Sequence, residues 1–430
     1  MANVIHDFIY DICHSENLEA AVQQYALYYH YLDDYTFIFA AEKGATPGLS
    51  VNRNFSSCSA VRSLFKTPHV FILTPDIFRE MFISGNRVTF PIDYSISLDT
   101  QVLSYLKPFF EGQRSRLPDD FEEIFDFIAR EEVNVDPLLY ELENLCNFSD
   151  LNKQEKIFER IRAYEMLRNL DVAAWLQHRQ LKFNVSEQEI IAKTQQYMAR
   201  KNYEFINKSL MEELARDYNR LYVYVYVLKM CAIHLRNPKT SAKQVQEKLL
   251  ELLEFTHNEA HFFGIREILL AKRFFENGCK EAFFHKVNRN TARFWEYVRG
   301  MAWDLRHQRF LEFVITLNID KNAAFFFPSI LTCDKKFIEV LDAHSVKVIV
   351  FNNKTKEILP FYDIDFIEEI ASCGERVKER LTLLSSEEYQ LQRRQYQEGP
   401  DYLQSLVKTL EAELEGICGI ACEKNPLGNY

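Results

Sequence analysis

The sequence predicts an α/β fold: a parallel-sheet core assembled from two separated stretches, with a large all-helical insertion between them and a helical C-terminal tail. Three observations carry this. A period-two strand pattern ends in Asp99 and passes into a helix. The same strand, Asp, helix order returns at Asp334. Between them, from residue 118 to about 315, apolar residues recur almost throughout at spacings of three and four. Neither outer stretch is large enough for a sheet covered on both faces, so the economical arrangement pairs them into one.

Residues 1–67 read as an N-terminal helical and mixed segment. Leu18 to Tyr35 has helical spacing, the apolar segment TFIFAAE follows, and KGATPGLSVNRNFSSCS gathers turn formers into a long loop. Residues 68–112 form the first part of the core. Here PHVFILTPDIFREMFIS gives a β-rich run at Val70 to Leu73, a Thr-Pro turn and a short amphipathic helix. Ile92, Tyr94, Ile96 and Leu98 then alternate with Asp93, Ser95 and Ser97, which predicts a strand over 92–98. Val102, Leu103 and Leu106 mark the helix behind Asp99.

Residues 113–254 read as the helical insertion, from FEEIFDFIAREE through LLYELENLC to SLMEELARDYNRLYVYVYVLKMCAIHL, with YVYVYV helical because of its surroundings. Ser241 stands as N-cap of the next helix. Residues 255–370 form the second part of the core. There the order is a strand from Ile330 to Cys333, Asp334, a helix from Lys335 to Asp342, and a strand from Val346 to Phe351. Residues 371–430 are the helical tail.

Composition narrows the function classes. With 12 Gly and 12 Pro among 430 residues, collagen-like and extensively disordered readings are out. A net charge of −11 argues against a protein that coats nucleic acid non-specifically, yet it leaves room for a nuclease with an acidic metal site and a local basic patch. Nine widely spaced cysteines without a C-x-x-C, acids where a signal peptide needs basic residues, and no apolar run near the ~18 residues of a membrane span lead to one expectation: a cytoplasmic protein with reduced thiols and no membrane partner. GxxxxGK[ST], GxGxxG and GxSxG are all missing, so ATP-driven, dehydrogenase and serine-hydrolase chemistry lack their marks.

Ligands of an open parallel sheet gather at the carboxyl ends of its strands, where Asp99 and Asp334 are expected. Two carboxylates there suit a hard cation such as Mg²⁺ or Mn²⁺. The competing explanation is that Asp is a favoured N-cap and both residues directly precede helices. Asp304, within ARFWEYVRGMAWDLRHQRF, interrupts an apolar stripe, and its structural alternative is a surface pair with Arg299 or Arg306. One stretch is locally basic, with Arg289, Arg293, Arg299, Arg306 and Arg309 against only Glu296 and Asp304. Its Trp295 and Trp303 suit stacking on unpaired bases, and the alternative is a solvated helix face. His257 and His261 have the i,i+4 spacing of a zinc chelate but no evident third ligand.

Three segments together resemble the PIN-like nucleases. IDYSISLDTQVLSYL looks like their first acidic motif, MAWDLRH like the helix bearing their third acid, and ILTCDKKFIEVL like the late strand with its Thr-x-Asp. The matching stretches cover about 40 residues. The resemblance implies a Mg²⁺- or Mn²⁺-dependent endoribonuclease, with Asp99, Asp304 and Asp334 as metal-site acids and RNA favoured over DNA as partner. It also implies a further acid on an intervening helix, for which Glu267 is preferred to Glu259. Toxin or defence-effector roles are common for such domains, and the helical insertion would then offer a surface to a regulatory protein. The rival reading is a non-enzymatic scaffold in which the helices do the binding.

Overall fold

The computed structural model describes residues 2–85, 88–144, 147–148, 150–206, 218–289, 291–317, 321–396 and 400–422. The chain divides into two compact units, Met1–Asn202 with Phe310–Asp363, and Tyr203–Arg309 with Ile364–Tyr430. No helix among the described residues is long and apolar enough to cross a membrane.

The first unit is mixed α/β. Its described strands are β1 (Tyr35–Ala41), β2 (Arg53–Asn54), β3 (Ala60–Ser63), β4 (His69–Leu73), β5 (Ile92–Leu98), β6 (Val135–Asp136), β7 (Phe325–Thr332), β8 (Val346–Asn352) and β9 (Ile358–Tyr362). They form two sheets where one was expected. β4-β1-β8-β9 is wholly antiparallel, and β2-β3-β7-β5-β6 joins an antiparallel edge to the parallel trio β7, β5 and β6. The apolar segment Tyr35–Ala41, expected to lie outside the core, is what draws β4 and β8 into their own sheet. Phe37 and Phe39 of β1 pack with Val348 and Val350 of β8 and with Ile9, Ile12 and Tyr25 of the two N-terminal helices.

The second sheet carries the expected strand–Asp–helix units. β5 and β7 run parallel in full register, from Ile92 opposite Phe325 to Leu98 opposite Leu331. β7 begins five residues before the expected Ile330 because Pro328 does not stop it. β3 reaches only as far as Ser329, so no neighbour on that side asks Pro328 for the N–H it lacks. The helix Thr100–Phe110 then buries Val102, Leu103, Leu106 and Phe109.

The stretch from 113 to 202 is not part of a separate insertion. It closes the same core that holds Ile96, Leu98 and Leu331. Phe109 stacks on Phe125 at 4.0 Å, and Trp175 meets their edges at 5.5 and 5.2 Å. Truncating one of these rings to alanine typically costs about 3–5 kcal/mol.

The described part of the second unit is helical. Its helix Tyr218–Arg236 is buried at every position from Leu221 to Leu235, so YVYVYV is helical and apolar all round, as a central bundle helix should be. The helix expected to lead into it starts at residues 207–217, outside the described residues. Ala242–Asn258, Ile265–Asn277 and Pro400–Cys418 are among the helices that accompany it.

Candidate active site

The carboxyl ends of β5 and β7 bring Asp99 and Asp334 together. Asp99 follows β5 directly, and its N–H donates to the Leu331 carbonyl of β7 at 3.1 Å. Its Oδ1 accepts the Val102 N–H at 2.7 Å and so caps Thr100–Phe110. Asp334 sits two residues beyond β7, and its Oδ1 accepts the N–H groups of Lys336 at 2.8 Å and Phe337 at 3.2 Å, capping Lys335–Ala343. Both are therefore N-caps, as the structural alternative required. They are also neighbours, which that alternative did not require.

Thr332 ties the pair together. It is fully buried, its hydroxyl oxygen accepts the Asp334 N–H at 3.0 Å, and it hydrogen-bonds to the Asp99 carboxylate. Asp99 is only 7% exposed. Burial pushes its pKa up to about 6. The hydrogen bonds from Thr332 and the Val102 N–H oppose the rise, and the charge of Asp334 adds to it.

A loop is fixed beside the pair. Asp120, 1% exposed, accepts the N–H groups of Ser57, Cys58 and Ser59 at 3.3, 3.1 and 3.0 Å and the Ser59 hydroxyl at 3.0 Å. The loop so held leads into β3, and the Cys58 thiol reaches toward the Cys333 carbonyl. The phenol of Tyr105 feels the charges of Asp99 and Asp334, which add to burial in raising its pKa.

At the neighbouring strand end, Asp136 lies opposite Ser97 and accepts hydrogen bonds from the hydroxyls of Ser95 and Ser97 and from the Leu138 N–H. Thr100, next to Asp99, donates to Glu143. Glu141, on the helix Leu138–Asn144, is 7% exposed and pairs with Lys201 at 2.8 Å. Burial raises its pKa, and Lys201 only partly offsets that.

Asp304 and Glu267 belong to the second unit, whereas Asp99 and Asp334 belong to the first. Glu267 is committed to Arg309, which donates to its two oxygens at 3.1 and 2.6 Å. Glu259 caps the end of Ala242–Asn258.

The basic stretch does not form one open face either. Arg306 is 3% exposed, Arg309 holds Glu267, Arg289 donates to the Leu235 carbonyl, Arg293 pairs with Glu296, and Arg299 reaches the Cys422 sulfur. Trp295 is buried, with its indole N–H on the Ile420 carbonyl. His261 lies beyond its helix in the left-handed region, its ring nitrogen on the His257 carbonyl, so the pair does not project from one helical face as a zinc chelate needs.

Glu141 and Asp136 were missed because a two-residue strand shows no alternation. The signal available was VNVDP, two valines flanking an exposed position and then a proline at a helix start, with an acid in the helix's first turn. Among the described residues, no three His, Cys, Asp or Glu side chains are gathered closely enough to hold a metal ion by themselves.

No family model matches the chain, and neither a curated protein nor a solved structure is significantly similar to it.

Proposed function

We propose that the chain is a divalent-cation-dependent phosphodiester hydrolase with a PIN-like core, acting on RNA in preference to DNA. The observation that carries this is the Asp99–Asp334 pair at adjacent parallel strand ends, with Asp99 buried beside a second carboxylate.

The residues fit Mg²⁺ or Mn²⁺. Mg²⁺ is commonly held by one or two carboxylates, with water and substrate phosphate completing its shell, so two acids suffice where a zinc site would need more. One oxygen of each aspartate is spent on a helix N–H, which fixes both carboxyl planes before anything binds. The cation, when bound, polarises the phosphoryl group and lowers the pKa of a water. Thr332 holds Asp99 in orientation, and Asp120 keeps the loop Ser57–Ser59 in place beside the site. Above about pH 6 Asp99 is ionised; below it, Asp99 holds a proton and cation binding weakens.

Glu267 is used up by Arg309 and Glu141 by Lys201, so neither supplies an intermediate acid in this reading. Asp304 is not needed in this reading. Toxin or defence-effector action, and a regulatory protein seated on the second unit, extend the proposal through the family resemblance alone.

The test is cleavage of RNA, single-stranded DNA and duplex DNA with Mg²⁺, Mn²⁺ or EDTA, comparing the wild type with Asp99→Asn and Asp334→Asn. Asparagine is as good an N-cap as aspartate, so these variants remove the charge and keep the helix starts. Metal-dependent cutting lost in both supports the reading. Cutting that survives both places the site elsewhere, and no cutting of any substrate favours the scaffold reading, in which both aspartates serve as caps alone.

A further inference from the structure

Beside the acidic strand ends the first unit has a cleft of about 660 Å³ with the opposite electrostatic character. It is lined from the helices Leu151–Arg168 and Glu187–Ile206 by three cations, Arg168, Lys193 and Arg200, and a single carboxylate, Glu165. In a chain of net charge −11 such a local excess is unexpected for a plain solvated surface. All three cations are exposed. Among the described residues no acid lies within ion-pair distance of Arg168 or Lys193, and Lys193 is steadied by Asn169 at 2.6 Å.

An aromatic ring completes the lining. Tyr197 is half-buried, and the Arg200 guanidinium lies 5.1 Å from its centroid. Guanidinium and phenol thus present a flat face beside the charges, the combination on which unpaired bases stack while phosphates meet the cations. A duplex offers no base face to such a ring.

The cleft adjoins β6, the strand that pairs with β5. Lys201, next to Arg200 on the same helix, pairs with Glu141. Tyr164, also in the cleft wall, donates its hydroxyl to the Val135 carbonyl of β6, one residue before Asp136.

We propose that this cleft binds the sugar-phosphate backbone of single-stranded nucleic acid, with Arg168, Lys193 and Arg200 on phosphates and Tyr197 under a base. It rests on the hydrolase reading only for the identity of the strand as a substrate, since binding does not require the carboxylate pair.

The experiment is fluorescence anisotropy of a labelled 20-nucleotide single-stranded RNA in EDTA, so that no metal-dependent cutting intervenes, over a series of salt concentrations. Arg168→Gln with Lys193→Gln should weaken binding at least roughly tenfold at low salt and flatten the slope of log K against log salt by about 1.4, near 0.7 for each phosphate contact removed. Tyr197→Leu should weaken binding by about fivefold or more and leave the slope unchanged. Lys66→Gln with Lys354→Gln, which removes two exposed lysines paired with Asp363 and Asp34, serves as the charge-matched control and should bind as the wild type does.

Wild-type affinity and slope in the double variant, with circular dichroism showing both folded, would overturn the proposal, as would duplex RNA binding equally well with no effect of Tyr197→Leu. The two readings fail separately. Binding lost in the cleft variants without any cleavage by the wild type removes the hydrolase and keeps the cleft. Cleavage with unaltered binding does the reverse.

Discussion

Asp99 in the first unit and Glu267 in the second are both nearly buried carboxyl groups, 7% and 3% exposed, and the protein treats them in opposite ways. Burial pushes up the pKa of each. At Glu267 the charge and hydrogen bonds of Arg309 more than offset that, and the group ends below the ordinary carboxylate range. At Asp99 the hydrogen bonds of Thr332 and Val102 oppose burial only in part, Asp334 adds to it, and the group ends at about 6. A buried acid with its own cation is finished structure. A buried acid set beside a second acid is a place where positive charge is still wanted, and that separates a candidate site from a buried ion pair of the same residue type.

The contrast breaks most visibly in activity. Asp99→Asn should lower metal-dependent RNA cleavage by about 100-fold or more, whereas Glu267→Gln should leave the rate of the remaining folded protein near wild type; quantitative cleavage assays read both. Stability should show the reverse order. Glu267→Gln strands Arg309 in a buried position and should cost about 3–5 kcal/mol in denaturant unfolding.

The pH profiles of stability should have opposite slopes. Folded Asp99 keeps a proton that the unfolded chain has released, so its contribution to stability falls as pH rises from about 4 to about 6 and stays low above that. At about 1.4 kcal/mol per pH unit, Asp99→Asn should gain roughly 3 kcal/mol on the wild type between pH 4 and pH 7. Glu267 behaves the other way. Its contribution is present above its ordinary pKa of 4.5 and is lost as pH falls through the lower folded value. The smallest effect is cation linkage. Mg²⁺ at about ten times its dissociation constant should stabilise the wild type by about 1.4 kcal/mol in thermal unfolding, less at pH 5 than at pH 7.5, and Asp99→Asn should not respond.

Much of the central sheet was legible because the local pattern sufficed. Ile92–Leu98 alternates in period two, Asp99 marks its end, and Val102, Leu103 and Leu106 begin the helix, all as expected from the sequence. The pairing of strands was not legible, since nothing local in Val70–Leu73 or Val346–Phe351 says that β1 will bind both. Pro328 hid the first half of β7, because whether a proline is tolerated depends on where the neighbouring strand ends. Within the candidate site, the strand-end aspartates could be read from order alone. Glu141, Asp136 and Asp120 could not, because they lie in a stretch dominated by helical spacing. Glu267 drew attention for its apolar helical context, which it owes to burial beside Arg309 rather than to a ligand.

The most direct test of the account is Mn²⁺ binding, followed by electron paramagnetic resonance of the free ion, for the wild type, Asp99→Asn, Asp334→Asn and Glu267→Gln across pH 5 to 8. The account predicts a site in the wild type and in folded Glu267→Gln, its affinity falling as pH drops through about 6, and no such site in either aspartate variant. Equal binding by all four proteins, or none by the wild type at pH 8, would contradict it.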